Sequence, residues 1–277
     1  MKKLIFYILI ATSIVGIYSS CSKSNDVNAP YTSVDPNSIS TSYLKVVHAS
    51  SNFATLFGVP DAFNVIVNGT KINSPFLSYA GTSIFPLVGS GYGYVSIPSG
   101  AVQIKLSTNG TLTGDSIAFK IFSKTVNPGQ FYTFLLTDSI LTGNPKKEMF
   151  IRDSTPVALP GYYNLRFINA VGNDSATTFT GTNTVDIFSY SRNTVLWSKI
   201  GVDSATNFQL LGTNIGVQDT LYVTRTPASG SPLLPGRVVL AKLAITPISR
   251  NYTIYYKGDG TQTSGTKVRT LSYYLNQ

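Results

Sequence analysis

One stretch of this sequence occurs twice, and both occurrences read as strand, loop, strand. Tyr43 to Gly69 runs YLKVVHASSNFATLFGVPDAFNVIVNG, and Tyr163 to Tyr190 runs YNLRFINAVGNDSATTFTGTNTVDIFSY. Leu44-Lys45-Val46 aligns with Leu165-Arg166-Phe167 at an offset of 121, and Asn64 to Val67 aligns with Asp186 to Ser189 at 122. Gln130 to Phe134 aligns with Arg250 to Ile254 at 120. Three segments that keep nearly one offset indicate a duplicated unit. Its period lies within the ~100–150 residues common for a domain, so a 277-residue chain holds two.

The runs inside each unit have strand character. In the first they are Leu44 to Ala49, Phe63 to Val67, Thr82 to Val88, Tyr92 to Ile97, Val102 to Leu106, Ile117 to Phe122, Phe131 to Leu136 and Met149 to Arg152. Turn residues separate them: Asn68-Gly69, Gly89-Ser90-Gly91, Pro98-Ser99-Gly100, Asn109-Gly110 and Asn127-Pro128-Gly129. Val102, Ile104 and Leu106 alternate with Gln103 and Lys105, which predicts one buried face and one wet face. The second unit repeats the order with Tyr163 to Asn169, Val185 to Tyr190, Val195 to Ile200, Leu221 to Arg225, Val238 to Ile245, Tyr252 to Tyr256 and Val268 to Leu275. Tyr (17) and Phe (15) are abundant, Met (2) is scarce, and Glu148 is the one glutamate, so helix formers are short where β formers are plentiful. The expected fold is all-β: two tandem immunoglobulin-like antiparallel β-sandwich domains, residues 42–157 and 158–277. Asp153 to Gly161, with Pro156 and Pro160, is the expected boundary between them.

The first 41 residues read differently. Lys2-Lys3 and the apolar run Leu4 to Tyr18 form a signal peptide over residues 1–20, too short for the ~20 apolar residues of a spanning helix. Ser19-Ser20 then precede Cys21, the one cysteine of the chain, which leaves no intrachain disulfide. The ending Tyr-Ser-Ser-Cys resembles the lipobox of bacterial lipoproteins and departs from it at Tyr18, where Leu is usual. The resemblance implies a lipid thioether on Cys21 and cleavage just before it. Several acyl chains at ~0.8 kcal/mol per buried CH₂ make a stable anchor. Ser22 follows the cysteine, which gives no signal for inner-membrane retention, so the outer membrane is the expected location, with the leaflet left open. Residues 21–41, rich in Ser, Asn, Asp and Pro, cannot bury a core and read as a lipidated flexible tether.

A further resemblance rests on four motifs: LKVVHAS, NVIVNG, YVSIPSGAVQIKL and TVNPGQFYTFLLTD. Together they resemble an uncharacterised bacterial envelope domain that opens with an R-V-V-H-A-S-P-like strand and continues with a V-D-V-Y-V-N-G-like strand. The resemblance covers about residues 43–157 and is weaker over 162–277, where the Val-Asn-Gly and Pro-Ser-Gly turns are lost. It implies a tandem domain in an exported lipoprotein, and no chemistry.

The residues themselves point away from catalysis. His48 is the one histidine, and Asn169 stands in its place in the second unit, so a hydrogen-bonding role at a strand end suits both. A Ser-His-Asp triad would have to use His48, and no Gly-x-Ser-x-Gly elbow accompanies it. Donors for a metal centre are short, no acidic pair is spaced for glycoside hydrolysis, and no cofactor is expected. The net charge is +9, or +7 without Lys2 and Lys3, but the cations are scattered and Lys146-Lys147 is the one pair after them. Nucleic acid is therefore not an expected partner. Trp197 and the tyrosines are candidates for stacking on sugars, although aromatics in sandwiches more often fill cores.

Six aspartates precede Ser or Thr and then a small or apolar residue, at Ser116, Ser139, Ser154, Ser175, Ser204 and Thr220. The pattern resembles the acceptor motif of an O-glycosylation system of exported proteins. Asp-Ser is also ordinary turn chemistry at strand starts. The reading as a whole is a non-enzymatic envelope lipoprotein for binding, adhesion or surface structure, held to the membrane through Cys21. The alternatives are a polymerising fimbrillin-like subunit, with Val268 to Leu275 as a donated strand, and a glycan-binding surface protein.

Overall fold

The computed structural model describes residues 40–53, 61–86, 93–107, 118–137, 148–171, 184–212, 217–225 and 235–276. All of these lie in one compact unit, Pro36–Gln277. The protein is all-β, and among the described residues nineteen strands carry the fold. The first lobe holds β1 (Thr41–His48), β2 (Ala62–Val67), β3 (Thr70–Lys71), β4 (Leu77–Ser78), β5 (Ile84–Phe85), β6 (Val95–Pro98), β7 (Gly100–Ser107), β8 (Ala118–Val126), β9 (Phe131–Leu136) and β10 (Glu148–Arg152). The second holds β11 (Tyr162–Asn169), β12 (Thr184–Ser189), β13 (Thr194–Gly201), β14 (Ser204–Ala205), β15 (Gln209–Gly212), β16 (Asp219–Arg225), β17 (Val239–Ile245), β18 (Asn251–Lys257) and β19 (Thr270–Asn276).

Each lobe is a sandwich of two sheets. In the first, β10-β9-β1-β5, with β6 also on β1, packs against β3-β2-β7-β8, with β4 on β2. In the second, β14-β11-β18-β19, with β15 also on β11, packs against β13-β12-β16-β17. The pairings correspond strand for strand, and only β4 lacks a counterpart among the described residues. The offsets between equivalent strands are 121 for β1 and β11, 122 for β2 and β12, and 120 for β9 and β18.

Pairing is mostly antiparallel, with one departure that both lobes share. β1 runs parallel to β9, from Tyr43 opposite Phe131 to His48 opposite Leu136. β11 runs parallel to β18, from Asn164 opposite Asn251 to Asn169 opposite Tyr256. The Asn68-Gly69 turn closes β2 onto β3 with both residues at positive φ, 47° and 84°, the geometry such a pair favours. The expected wet face of β7 holds at Gln103 and fails at Lys105, which is only 8% exposed.

Two apolar clusters fill the sandwiches. One holds Leu44, Val46, Phe63, Val65, Ile104 and Phe134, among others, and the other holds Leu165, Phe167, Ile187, Val223, Ile254 and Tyr256. A third cluster lies between the lobes. Val47, Ala49 and Leu135 from the first meet Ile168, Ala170, Tyr255 and Tyr274 from the second. β1, β9, β11 and β18 are therefore buried on both faces. That is why LKVVHA and NYTIYY read as near-continuous apolar runs without clean alternation.

Candidate functional site

The interface between the lobes has a polar centre, built from residues that the parallel pairs bring together. Asp153, just past the end of β10, is 4% exposed. Arg166 on β11 donates through Nη2 to its Oδ1 at 2.6 Å. Thr133 on β9 and Tyr94 before β6 donate to Oδ2 at 2.6 and 3.0 Å. Arg166 also holds Thr253 through Nε at 3.1 Å, and Asn276 donates to Tyr94 Oη at 3.0 Å. Lys45 is fully buried, with its ammonium 4.7 Å from the Tyr94 ring centre and 5.1 Å from that of Tyr274. Burial lowers its pKa to about 8, against the opposing pull of Asp153. Burial likewise raises Tyr274 to about 12.

Such a group is fully hydrogen-bonded and closed. Desolvation offsets much of the attraction within a buried ion pair, but removing one partner leaves a charge with nothing to face. Chemically the site can lock two sheets in register.

His48 sits at the far end of β1. It is fully buried, and its Nε2 lies 3.1 Å from Asp61 Oδ1. The rings of Phe53, Phe63 and Tyr79 pack around it at centroid distances of 5.3, 4.8 and 6.0 Å. Burial lowers its pKa, with Asp61 opposing. Lys257 from the second lobe caps this corner, over the Tyr79 ring at 4.5 Å and donating to the Tyr79 carbonyl at 3.3 Å. Nearby, Ser51 donates to Gly258 O at 2.9 Å. The equivalent Asn169 donates to Ile200 O and accepts from Val171 N, both at 3.3 Å. Both residues tie down a strand end, and the aromatic contacts give His48 a packing role as well. No hydroxyl among the described residues is hydrogen-bonded to His48 as a nucleophile would be.

Neither Asp61 nor Asp153 was singled out by sequence. Asp61 lies 13 residues from His48, across a loop of no recognisable motif. Asp153 opens a stretch that reads as an exposed linker. A signal for it exists but is indirect: Lys45 and Arg166 each interrupt an apolar strand at equivalent positions, and buried cations require a partner.

The candidate acceptor sites divide in two. Cys21, Ser116, Ser139 and Ser175 lie outside the described residues. Ser154 is exposed, while Ser204 and Thr220 are half-buried. Two of the aspartates before them have structural work: Asp153 holds Arg166, and Asp219 accepts from Ser189 at 2.6 Å and from Arg192 at 2.8 Å. Trp197 is half-buried and packs against the second core. Among the described residues no three His, Cys, Asp or Glu side chains gather as a metal would require. A groove of about 600 Å³ at the start of the second lobe is lined by Thr155 to Ala158, Ser249 to Asn251 and Asn276.

A domain of unknown function (DUF4397) is found over residues 42–179. No curated protein matches the chain. Two solved structures show low similarity. The Bacillus anthracis TIE protein is 10% identical with a TM-score of 0.20, and the match covers 79% of this chain and 34% of that one. A single B repeat unit of the collagen-binding surface protein of Staphylococcus aureus is 10% identical with a TM-score of 0.13, covering 86% and 98%. This chain thus spans about a third of the first of these, and likenesses so low bear on neither fold detail nor function.

Proposed function

We propose that this protein is a non-enzymatic lipoprotein of the bacterial outer membrane, anchored through Cys21. Its two lobes are diverged tandem copies of the DUF4397 domain that work as one binding or surface-structure module. The observation that carries this reading is the closed junction around Asp153 and Arg166. It commits the inner sheet of each lobe to the other lobe, which suits a stiff spacer or platform. The matching strand order and the offsets near 121 support the tandem copy. A non-enzymatic role is supported by the sealing of His48 among three aromatic rings. Ser154, exposed beside the buried Asp153, is the described residue best placed for O-glycosylation. The fimbrillin-like alternative is less well supported, because donating β19 would uncover Tyr274 and Asn276, each 1% exposed.

The test is fractionation of Cys21→Ala in a Gram-negative host. The parent partitions into detergent with the mass of a processed, acylated chain. The variant is an uncleaved or soluble, slower-migrating precursor and does not appear in detergent with the mature mass. A variant that keeps the mature mass and the detergent phase refutes the anchor. Filaments of purified protein in electron micrographs would replace the module with a polymerising subunit.

A further inference from the structure

Eleven large apolar side chains among the described residues are exposed, and they are unevenly placed. Seven gather at one end of the second lobe. Val157 is 81% exposed, Tyr190 62%, Ile248 57% and Tyr162 45%. Backbone contacts join their loops into one surface. Tyr162 N donates to Leu159 O at 3.0 Å, and Gly161 N donates to Ser249 Oγ beside Ile248 at 3.2 Å. Tyr162 lies opposite Gly212 in the β11–β15 pairing, two residues from Leu210. Arg192, two residues from Tyr190, reaches the Gly212 carbonyl, and it pairs with Asp219, two residues past Val217.

Among the described residues, the exposed side-chain charge at this end is positive. Arg250 is exposed, and the Arg192 side chain is 24% exposed. The described carboxylates here, Asp153 and Asp219, are buried at 4% and 2%, each paired with arginine. The chain enters at the same end. Thr41 O accepts from Gly129 N at 2.7 Å, and Phe131 O, opposite Tyr43, accepts from Asp153 N at 2.8 Å, where the linker to this surface begins. The twenty residues from Cys21 to Ser40 reach at most ~70 Å, so a lipid on Cys21 would hold this end near the bilayer.

We propose that this end of the second lobe rests on an anionic lipid surface. Tyr162 and Tyr190 sit at headgroup depth with Val157 and Ile248 beside them, and Arg250 and Arg192 face the lipid charges. Tyrosine favours that depth because its ring is apolar and its hydroxyl polar, and arginine gains from an anionic surface. The inference extends the lipid-anchor reading, and its test is independent of it.

The compact unit Pro36–Gln277 lacks Cys21, so its binding does not depend on acylation. It is floated with vesicles of phosphatidylglycerol and phosphatidylcholine in equal parts, and with phosphatidylcholine alone. Binding is expected to the first only, and to weaken as salt rises. A Tyr190→Ser/Ile248→Ser double variant is expected to bind about tenfold less, with an unchanged unfolding midpoint, since neither residue belongs to an apolar cluster. Val238→Ser, at the opposite end of the same lobe, is expected to bind as the parent does. The proposal is overturned by absence of flotation, by flotation indifferent to lipid charge or to the double variant, or by a dimer that forms through this surface and leaves the vesicles.

Discussion

Lys45 and Arg166 hold the same place in the two lobes, 121 residues apart. Each lies on the strand at the centre of a parallel pair, opposite an equivalent threonine: Lys45 opposite Thr133, and Arg166 opposite Thr253. Each also lies over an aromatic ring that precedes the next paired strand, Tyr94 for Lys45 and Phe208 for Arg166. Their acid is not duplicated. Asp153 follows β10, and the residue in its place at the end of β19 is Asn276. Two cations therefore face one carboxylate, and the lobes differ where they meet.

Asp153 is expected to be the most sensitive position of the junction. Asp153→Ala leaves Arg166 and Lys45 buried without a carboxylate, at a cost of ~3–5 kcal/mol. Asp153→Asn keeps part of the hydrogen bonding and should cost less than Asp153→Ala. Urea unfolding measures both. A loss below ~1 kcal/mol for Asp153→Ala would mean that water or a rearranged side chain supplies the missing partner.

Stability should rise with pH between about 8 and 10. The folded pKa of Lys45, about 8, lies below its unfolded value near 10.5, so in that window the unfolded chain binds a proton that the native chain has released. Stability then increases, by on the order of 1–3 kcal/mol. Above pH 10 the sign reverses, because Tyr274, raised to about 12, ionises first in the unfolded chain. Lys45→Met should remove most of the rise. Lys257, also lowered by burial, leaves a remainder. A urea midpoint that is flat from pH 8 to 10 in the parent would contradict the burial of Lys45.

Much of this architecture is legible from residues. The correspondence of β1 with β11 follows from LKV and LRF, and the turn at Asn68-Gly69 follows from its dipeptide. The short strands β5, β14 and β15 leave little signal, because two to four residues cannot establish a period. The lobe interface is illegible for another reason. A strand buried on both faces by its own sheet and by a neighbouring lobe shows the same apolar run as one buried in a single thick core. Val47 and Ile168 carry nothing that says which layer they touch. The ion pair hides as well, since Asp153 borders a Pro-containing stretch that reads as solvent-exposed.

A protease cut in the linker is expected to nick the chain without separating the halves. Pro156, Val157, Leu159 and Pro160 are exposed, whereas Asp153 is buried. Cleavage between Thr155 and Pro160 spares the ion pair and the third apolar cluster. Two fragments on a denaturing gel should co-elute as one species in size exclusion. Separate elution would mean that the interface depends on covalent connection, and Arg166→Met should favour that outcome.

The final prediction separates two roles for His48. If hydrogen bonding at the strand end is all it supplies, His48→Asn should be nearly harmless, since Asn169 serves in the second lobe. The aromatic contacts predict otherwise. Replacing the ring leaves a void against Phe53, Phe63 and Tyr79, so His48→Asn should cost ~2–4 kcal/mol. His48→Phe keeps the ring, loses the Asp61 bond, and should cost ~1–2 kcal/mol. The two variants also differ from the parent in acid. Burial lowers the folded pKa of His48, so below about pH 6.5 the unfolded chain takes up a proton that the native chain resists, and stability falls as pH falls. Either variant should remove that part of the acid sensitivity. If His48→Asn unfolds at the parent's urea midpoint while His48→Phe does not, the Asp61 hydrogen bond is the whole of the histidine's contribution and the packing role is wrong.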